Sequence, residues 1–450
     1  MRRNGSSVVV VVLLITAIFS IFLVQIPLQK EKTIAAPAKG ADVAVIGGTT
    51  AALMSALKAA KNGAQVYLFP NGQDLAEDIS FLVTGGLALA KTPVQEEAGI
   101  EFGPELFAEL LKEQGSGLND PLLVQAFIST DDIYEELVDT SGLFFDMLPR
   151  PDSSPYFHLT TEHNPDLLFK QKLLNEINRT AVLLSNERVK ELLFSSQGRV
   201  EALLLENDRG KSYPFYTQAV ILADGGHRSD AIQRYLPAFS GNLVSLKSAP
   251  KNESLKIAAD LGLDMIQKDF FDMKVLLHAP LKENYRYLPP DSWERTYIVN
   301  TEGQILPLSE ISAKETLNFI LSSPTDGAYL IAPENQAERY GDCFRIFEQL
   351  ERFLQACSLE ELPQFDRRWL PGPPYCVASL KAGMDYMLGG ISVTPRGEVK
   401  KNGKIVKGLY ASGEIVGGLH GEALLPGMAL SETVFLAKTS GSSAAGYAQR

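Results

Sequence analysis

The stretch ADVAVIGGTTAALMSALKAAKNGAQVYLFPNG, residues 41–72, decides the fold. Asp42–Ile46 is a continuous apolar run, the pattern of a parallel strand covered on both faces. Ala51–Lys61 is rich in Ala and Leu and stops at Asn62-Gly63, a helix-ending pair. Gln65–Phe69 repeats the buried-strand pattern. A strand, glycine turn, helix and second strand open a dinucleotide-binding βαβ unit, in which free N–H groups at the helix start receive a pyrophosphate. The glycine fingerprint of such turns, GxGxxG, reads here as Gly47, Thr49 and Ala52. Gly47 suits the tight turn, and Ala52 adds one methyl to the helix–strand contact. Thr49 puts a side chain where the phosphates approach, with a hydroxyl able to donate to a phosphate oxygen. Pro70 stands where an acid would hold the ribose hydroxyls. Taken alone, the motif leaves two readings open: a nucleotide site or a purely structural βαβ unit.

The rest of the chain bounds the class. With 450 residues it is long enough for two or three domains, and 45% hydrophobic with 21% charged residues is the balance of a folded α/β protein. A net charge of −12, with no Lys/Arg cluster, argues against a nucleic-acid partner. Cys343, Cys357 and Cys376 are scattered without a CxxC, which argues against zinc, iron–sulfur and haem attachment on this chain.

The first forty residues are a separate object. Arg2 and Arg3 precede an uncharged apolar run, Val8–Val24, followed by Lys30 and Lys32. The run is at the short limit for a spanning helix and above the usual core of a signal peptide. An uncleaved membrane anchor is the first expectation and a cleaved signal the second. The basic N-terminus favours an inside start, with the folded part extracytoplasmic.

Further blocks follow in order. RVKELLFSSQGRVEALLLEND (188–208) reads as a hairpin about Gln197-Gly198, and Ala219–Ala223 as another buried strand ending in paired glycines. FLVTGGLALA (81–90), AVILADGGHRSDAIQRYLP (219–237) and the run 387–445, with GLYASGEIVGGLHG at 408–421, complete the set. Together with GLNDPLLVQAF (117–127) and IVNTEGQ (298–304), these blocks resemble the FAD-dependent oxidoreductase 2 family, to which the flavoprotein subunits of fumarate reductase and succinate dehydrogenase belong. The resemblance covers nearly everything from Ala41 onward. It implies an α/β fold: a split Rossmann-type FAD-binding domain (41–236 and 371–450) with an inserted α+β capping domain (237–370), after the 1–40 leader.

The resemblance also assigns residues. The cofactor-side set is Gly47, Gly48, Thr49, Thr50 and Ala52 at the first turn; Thr84, Gly85 and Gly86 near the flavin; Val189; and Ala223, Gly225 and Gly226 on the phosphate side. It continues with Glu414 toward the ribityl chain and Met428, Ala429 and Leu430 at the start of a helix facing the isoalloxazine. Ile79 stands where some members carry a flavin-linking histidine, so FAD is expected to be non-covalent. On the catalytic side, SEISAKE (309–315) puts Lys314 at the position of a proton-donating arginine. GMDYMLGG (383–390) puts Asp385 and Tyr386 at a histidine pair and Met387 at a threonine. His420 keeps its motif place, whereas the clamp arginine has become Leu424. His278 matches only loosely, and His158 and His163 read as surface residues.

Loss of an arginine–carboxylate contact costs about 2–5 kcal/mol when the anion is buried. A dicarboxylate such as fumarate is therefore a poor expected substrate, and a neutral, cationic or mono-anionic small molecule a better one. The expected function is flavin hydride transfer on such a molecule, with a separate electron donor or acceptor. The alternative is a degenerate flavoprotein fold serving as a binding or scaffold subunit. Lys314 as a solvated lysine, and Asp385 and Tyr386 as structural partners in a turn, are the plain counter-readings.

Overall fold

The computed structural model describes residues 40–76, 86–147, 155–160, 165–226, 243–245, 253–279, 284–288, 296–300, 302, 304–307, 311–323, 327–332, 343, 345–347 and 375–450. The apolar leader and residues Ile79, Thr84, Gly85 and His163 lie outside them. No helix among the described residues is long and apolar enough to cross a membrane.

Two eight-stranded sheets carry the molecule. The first is ordered β20-β21-β9-β1-β2-β6. Its centre is parallel: β21 (Lys404–Ala411), β9 (Ser212–Leu222), β1 (Gly40–Ile46), β2 (Val66–Phe69) and β6 (Leu183–Leu184). β20 (Glu398–Lys401) closes one edge antiparallel. The hairpin β7 (Arg188–Phe194) and β8 (Val200–Glu206) joins through β8 to β9, as its turn residues lead one to expect. The continuous apolar runs of β1 and β2 are explained by cover on both faces: Val43–Ile46 and Val66–Phe69 are fully buried.

Two helices lie together on this sheet. The first, Thr50–Lys61, follows the glycine turn. The second, Met428–Ala448, crosses it closely. A Cβ on Gly441 would stand 2.6 Å from Ser55 O, so only glycine permits that approach. The second helix is a mix of small, polar and apolar residues buried around much of its circumference, as a helix packed between layers must be.

The second sheet is ordered β13-β12-β18-β16-β14-β15, with β10 and β17 also paired to β18. Its strands are β10 (Leu243–Ser245), β12 (Phe271–Ala279), β13 (Asn284–Tyr287), β14 (Tyr297–Asn300), β15 (Ile305–Pro307), β16 (Ala328–Ala332), β17 (Arg345–Phe347) and β18 (Tyr375–Met387). β18 is the hub, starting just beyond the expected boundary at residue 370. Two small sheets complete the fold: β3 (Gly86–Ala88), β5 (Phe157–Thr160) and β4 (Phe145–Asp146) in one, and β11 (Met265–Ile266) with β19 (Gly390–Ile391) in the other.

Each large sheet has its own apolar core. Cys376, Ala378, Leu380, Ala382 and Met384 of β18 belong to the second core, while Tyr386 and Met387 belong to the first. The changeover falls at Asp385. Opposite it, β12 pairs Asp272 with Tyr386 and Met273 with Met384, so Asp385 is the extra residue of a β-bulge. A bulge kinks its strand and re-aims the side chains that follow. Here it carries β18 out of one core and into the other.

Candidate active site

At the first turn, Gly47 adopts φ +130° and a Cβ on it would stand 2.7 Å from Asp224 Cα, so the end of β1 and the turn after β9 touch through backbone. Thr49 caps the helix: its hydroxyl accepts from Ala52 N–H at 3.2 Å and donates to Ala223 O at 2.5 Å. In this fold the hydroxyl proton that was expected to face a phosphate is directed at a carbonyl of the turn after β9. Thr50 and Ala52 are buried behind it.

The segment after β2 folds back over this turn. Gln73 accepts from Gly48 N–H at 2.7 Å through Oε1 and donates from Nε2 to Asp224 O at 2.7 Å. Ala76 N–H donates to Gly48 O at 2.7 Å. Asn71 accepts from Val189 N–H at 3.0 Å. Backbone donors of two predicted cofactor positions, Gly48 and Val189, are therefore held by side chains of the chain itself. Asp224 is fully buried. Burial pushes its carboxyl up to about 7; Glu253 adds to the rise, and the backbone and hydroxyl of Ser254 oppose it. The Ser254 N–H donates to one carboxyl oxygen at 2.8 Å, and the other has no hydrogen-bond partner among the described residues.

Toward the second sheet, Glu414 sits in the turn Gly413–Ile415 and accepts from Met387 N–H at 3.0 Å. A Cβ on Gly226 would stand 2.6 Å from its carboxylate. Gly225, at φ +89°, makes the turn that brings Gly226 there. Predicted positions from three distant blocks thus converge on one carboxylate. The helix Met428–Ala448 starts beside them at Gly427, which has φ +84° and offers no side-chain cap. Its first N–H groups, at Met428, Ala429 and Leu430, form the positive end of the helix dipole. A Cβ on Gly427 would stand 2.7 Å from Ala88 N, and Ser431 binds Ala88 through both its backbone groups. Gly86, on the same strand β3, is buried against β5.

One turn into this helix lies a group that the sequence reading missed. Glu432, fully buried, accepts through one oxygen from Tyr386 Oη at 2.5 Å and meets His420 Nε2 at 2.9 Å. The Tyr386 and His420 rings are edge to face, with centroids 5.7 Å apart. The His420 tautomer with its proton on Nε2 donates to this carboxylate. That leaves His420 Nδ1 and the second Glu432 oxygen without hydrogen-bond partners among the described residues. Of the predicted catalytic set, then, His420 and Tyr386 come together. Asp385 is buried next to them at the bulge. Lys314 does not join them: it is exposed in the first turn of the helix Ala313–Ser322, and no described contact links it to the cluster.

His158 is likewise corrected from a surface residue to a fully buried one. Its Nε2 takes the Thr92 hydroxyl at 2.6 Å and its Nδ1 donates to Tyr156 O at 3.0 Å, while burial lowers its pKa. It ties β5 to the capping box Thr92–Gln95 and is part of the scaffold.

The profile of the family described as "FAD binding domain" matches residues 42–277 and 323–430. The chain belongs to that family of flavoproteins. It is 24% identical over 460 residues to a fumarate reductase (cytochrome) of Shewanella frigidimarina, covering 92% of this chain and 79% of that protein. It is 22% identical to the NADH:fumarate oxidoreductase of Klebsiella pneumoniae (strain 342), over 91% of this chain but only 48% of that protein. Among solved structures, the open conformation of a flavocytochrome c3 fumarate reductase superposes with a TM-score of 0.79 at 20% identity, over 94% of this chain and 81% of that one. The chain thus belongs to the FAD-dependent oxidoreductase family, is similar to its fumarate reductase-like members, and has a mixed α/β flavoprotein fold.

The residues present fit FAD at its flavin end. The uncapped helix start at Met428–Leu430 can face a ring that gains negative charge, and Glu414 stands in a cradle that any side chain at residue 226 would fill. At the adenine end the fit depends on Asn71 and Gln73 releasing the groups they hold. A longer-range signal for Glu432 did exist in the sequence. An acid one turn into a helix of small and apolar residues, twelve positions after His420, is out of place on a solvent-facing reading.

Proposed function

We propose that this flavoprotein interconverts a saturated and an unsaturated carbon pair in a small organic molecule, with Glu432, His420 and Tyr386 as its proton-handling group. FAD, when bound, supplies the two-electron, hydride-carrying chemistry. The remaining requirement is a proton at the neighbouring carbon, and the chain's own groups meet it. Glu432 fixes His420 with its proton on Nε2 and its Nδ1 unpaired, a geometry suited to taking or giving a proton. Tyr386 holds the same carboxylate oxygen, so movement of charge on either ring is felt by the other. The shared Glu432 carboxylate is the observation that carries this reading.

Leu424 at the clamp position is apolar and buried, and Asp385 adds an acid nearby. Both support a substrate that is not a dicarboxylate. Ile79 supports non-covalent FAD, and the run Val8–Val24 supports a membrane anchor with the folded part extracytoplasmic. Electrons then pass to or from a separate protein or small carrier. The test is single-turnover flavin reduction or reoxidation with a panel of enoate, enone and amine compounds. Activity retained in His420→Gln, Tyr386→Phe and Glu432→Gln alike removes the assignment.

A second reading is a scaffold without turnover. The Asn71 and Gln73 contacts across the nucleotide turn favour it. Purified protein that is yellow, bleaches with a reductant and recovers in air supports the enzyme; folded protein that stays colourless with FAD in excess supports the scaffold.

A further inference from the structure

The crevice beyond the carboxyl ends of parallel strands is where a dinucleotide lies, with its pyrophosphate on the first helix and its adenine half beyond the second strand. In this chain those ends belong to β1, β2 and β9, and Pro70–Ala76 leads straight out of β2 across them. Gln73 spans the crevice from the Gly48 N–H on one side to the Asp224 carbonyl on the other. Asn71 takes the Val189 N–H on the adenine side. Gly48, Asn71 and Val189 are buried as a result.

This closure is made of poor parts. Asn71 and Ala76 both carry side chains in the left-handed region, at φ +58° and +56°, which L residues disfavour. The Asn71 amide nitrogen is buried without an acceptor among the described residues. A buried donor left unpaired, with an alanine held in the left-handed region at the end of the same segment, marks an arrangement held only a little below its alternatives.

We propose that Pro70–Ala76 is a latch that competes with the ADP half of FAD for Gly48 N–H and Val189 N–H, so that Asn71 and Gln73 set the cofactor's affinity and its exchange. This rests on the reading that the chain binds FAD. The latch holds the cofactor-free fold shut; FAD binds by displacing the Gln73 bridge, and the freed Asn71 amide then has an acceptor within the nucleotide.

The sign of one change tests it. FAD is titrated into cofactor-stripped full-length protein by fluorescence quenching, and thermal unfolding is followed with and without saturating FAD. Gln73→Ala should bind FAD about tenfold more tightly than the parent, equivalent to about 1.4 kcal/mol. Without FAD the variant should melt lower, and with saturating FAD the gap should close or reverse. A purely structural glutamine would lower both melting points alike. Asn71→Gly, which suits the left-handed backbone, provides the same comparison should Gln73→Ala fail to fold. Weaker or unchanged FAD binding, measured against a parent that binds, overturns the latch and leaves the cofactor reading standing. No binding to the parent or to either variant overturns the cofactor reading, and the latch with it.

Discussion

Asp224→Asn changes one buried acid and leaves its shape. In the unfolded chain this carboxyl loses its proton near 3.8, and in the folded protein near 7, chiefly because burial disfavours the charged form. Between those values the folded state holds the proton that the unfolded state has released. Stability therefore falls as pH rises through that window and levels off above 7. The gap between about 7 and 3.8, at about 1.4 kcal/mol per pH unit, sets an upper figure of about 4 kcal/mol for the loss. Asparagine stays neutral throughout, and its carbonyl oxygen can accept from Ser254 N–H as the carboxylate does. Denaturant unfolding of both proteins from pH 4 to pH 8 isolates this residue, since every other titrating group is common to the two curves. The variant should match the parent within about 1 kcal/mol at pH 4 and exceed it by about 2–4 kcal/mol at pH 8. Parallel curves across the range would refute the claim that Asp224 is buried with its proton.

Three further changes probe the site. Glu432→Gln keeps the volume but removes the charge that orders His420, so single-turnover flavin chemistry should slow about 10–100-fold and its pH profile should move, with substrate binding little altered. Lys314→Gln should change the same rate less than about twofold, because the lysine is exposed and apart from the cluster; a loss like that of Glu432→Gln would restore it as a proton donor. Gly427→Ala meets both φ +84° and the backbone of β3, and calorimetry should show a loss of about 1–3 kcal/mol together with weaker flavin retention.

What could be read in the chain beforehand was whatever depends on local pattern. The apolar runs of β1 and β2, the stop at Asn62-Gly63 and the turn at Gly198 appear where the sequence puts them. The paired glycines proved to be places of close approach: residue 417 meets the backbone of residue 390, and residue 226 meets the side chain of Glu414. What depends on distant packing was hidden. Gln73 and Asn71 follow a strand and look like ordinary turn residues, with nothing local to say they fold back over Gly48 and Val189. His158 sits in a stretch without a recognisable motif, yet β3, β5 and the Thr92 hydroxyl enclose it completely. Lys314 matched by its place in a motif, and the fold leaves it in solvent.

The bulge at Asp385 explains why the site lies where two cores meet. β18 is central to the second sheet up to Met384, and with Asp385 paired in regular register Tyr386 would share the face of Met384 in that sheet's period of two. The bulge shifts the register, and the next side chain enters the first core, where the buried end of the long helix presents Glu432. A tyrosine from the second sheet and an acid from the helix packed on the first thereby share one short hydrogen bond. Because that bond ties β18 to the long helix, any movement of the second sheet against that helix changes the environment of His420 directly. The Tyr386–Glu432–His420 group is thus tied to the packing between the second sheet and the long helix as well as to its own chemistry.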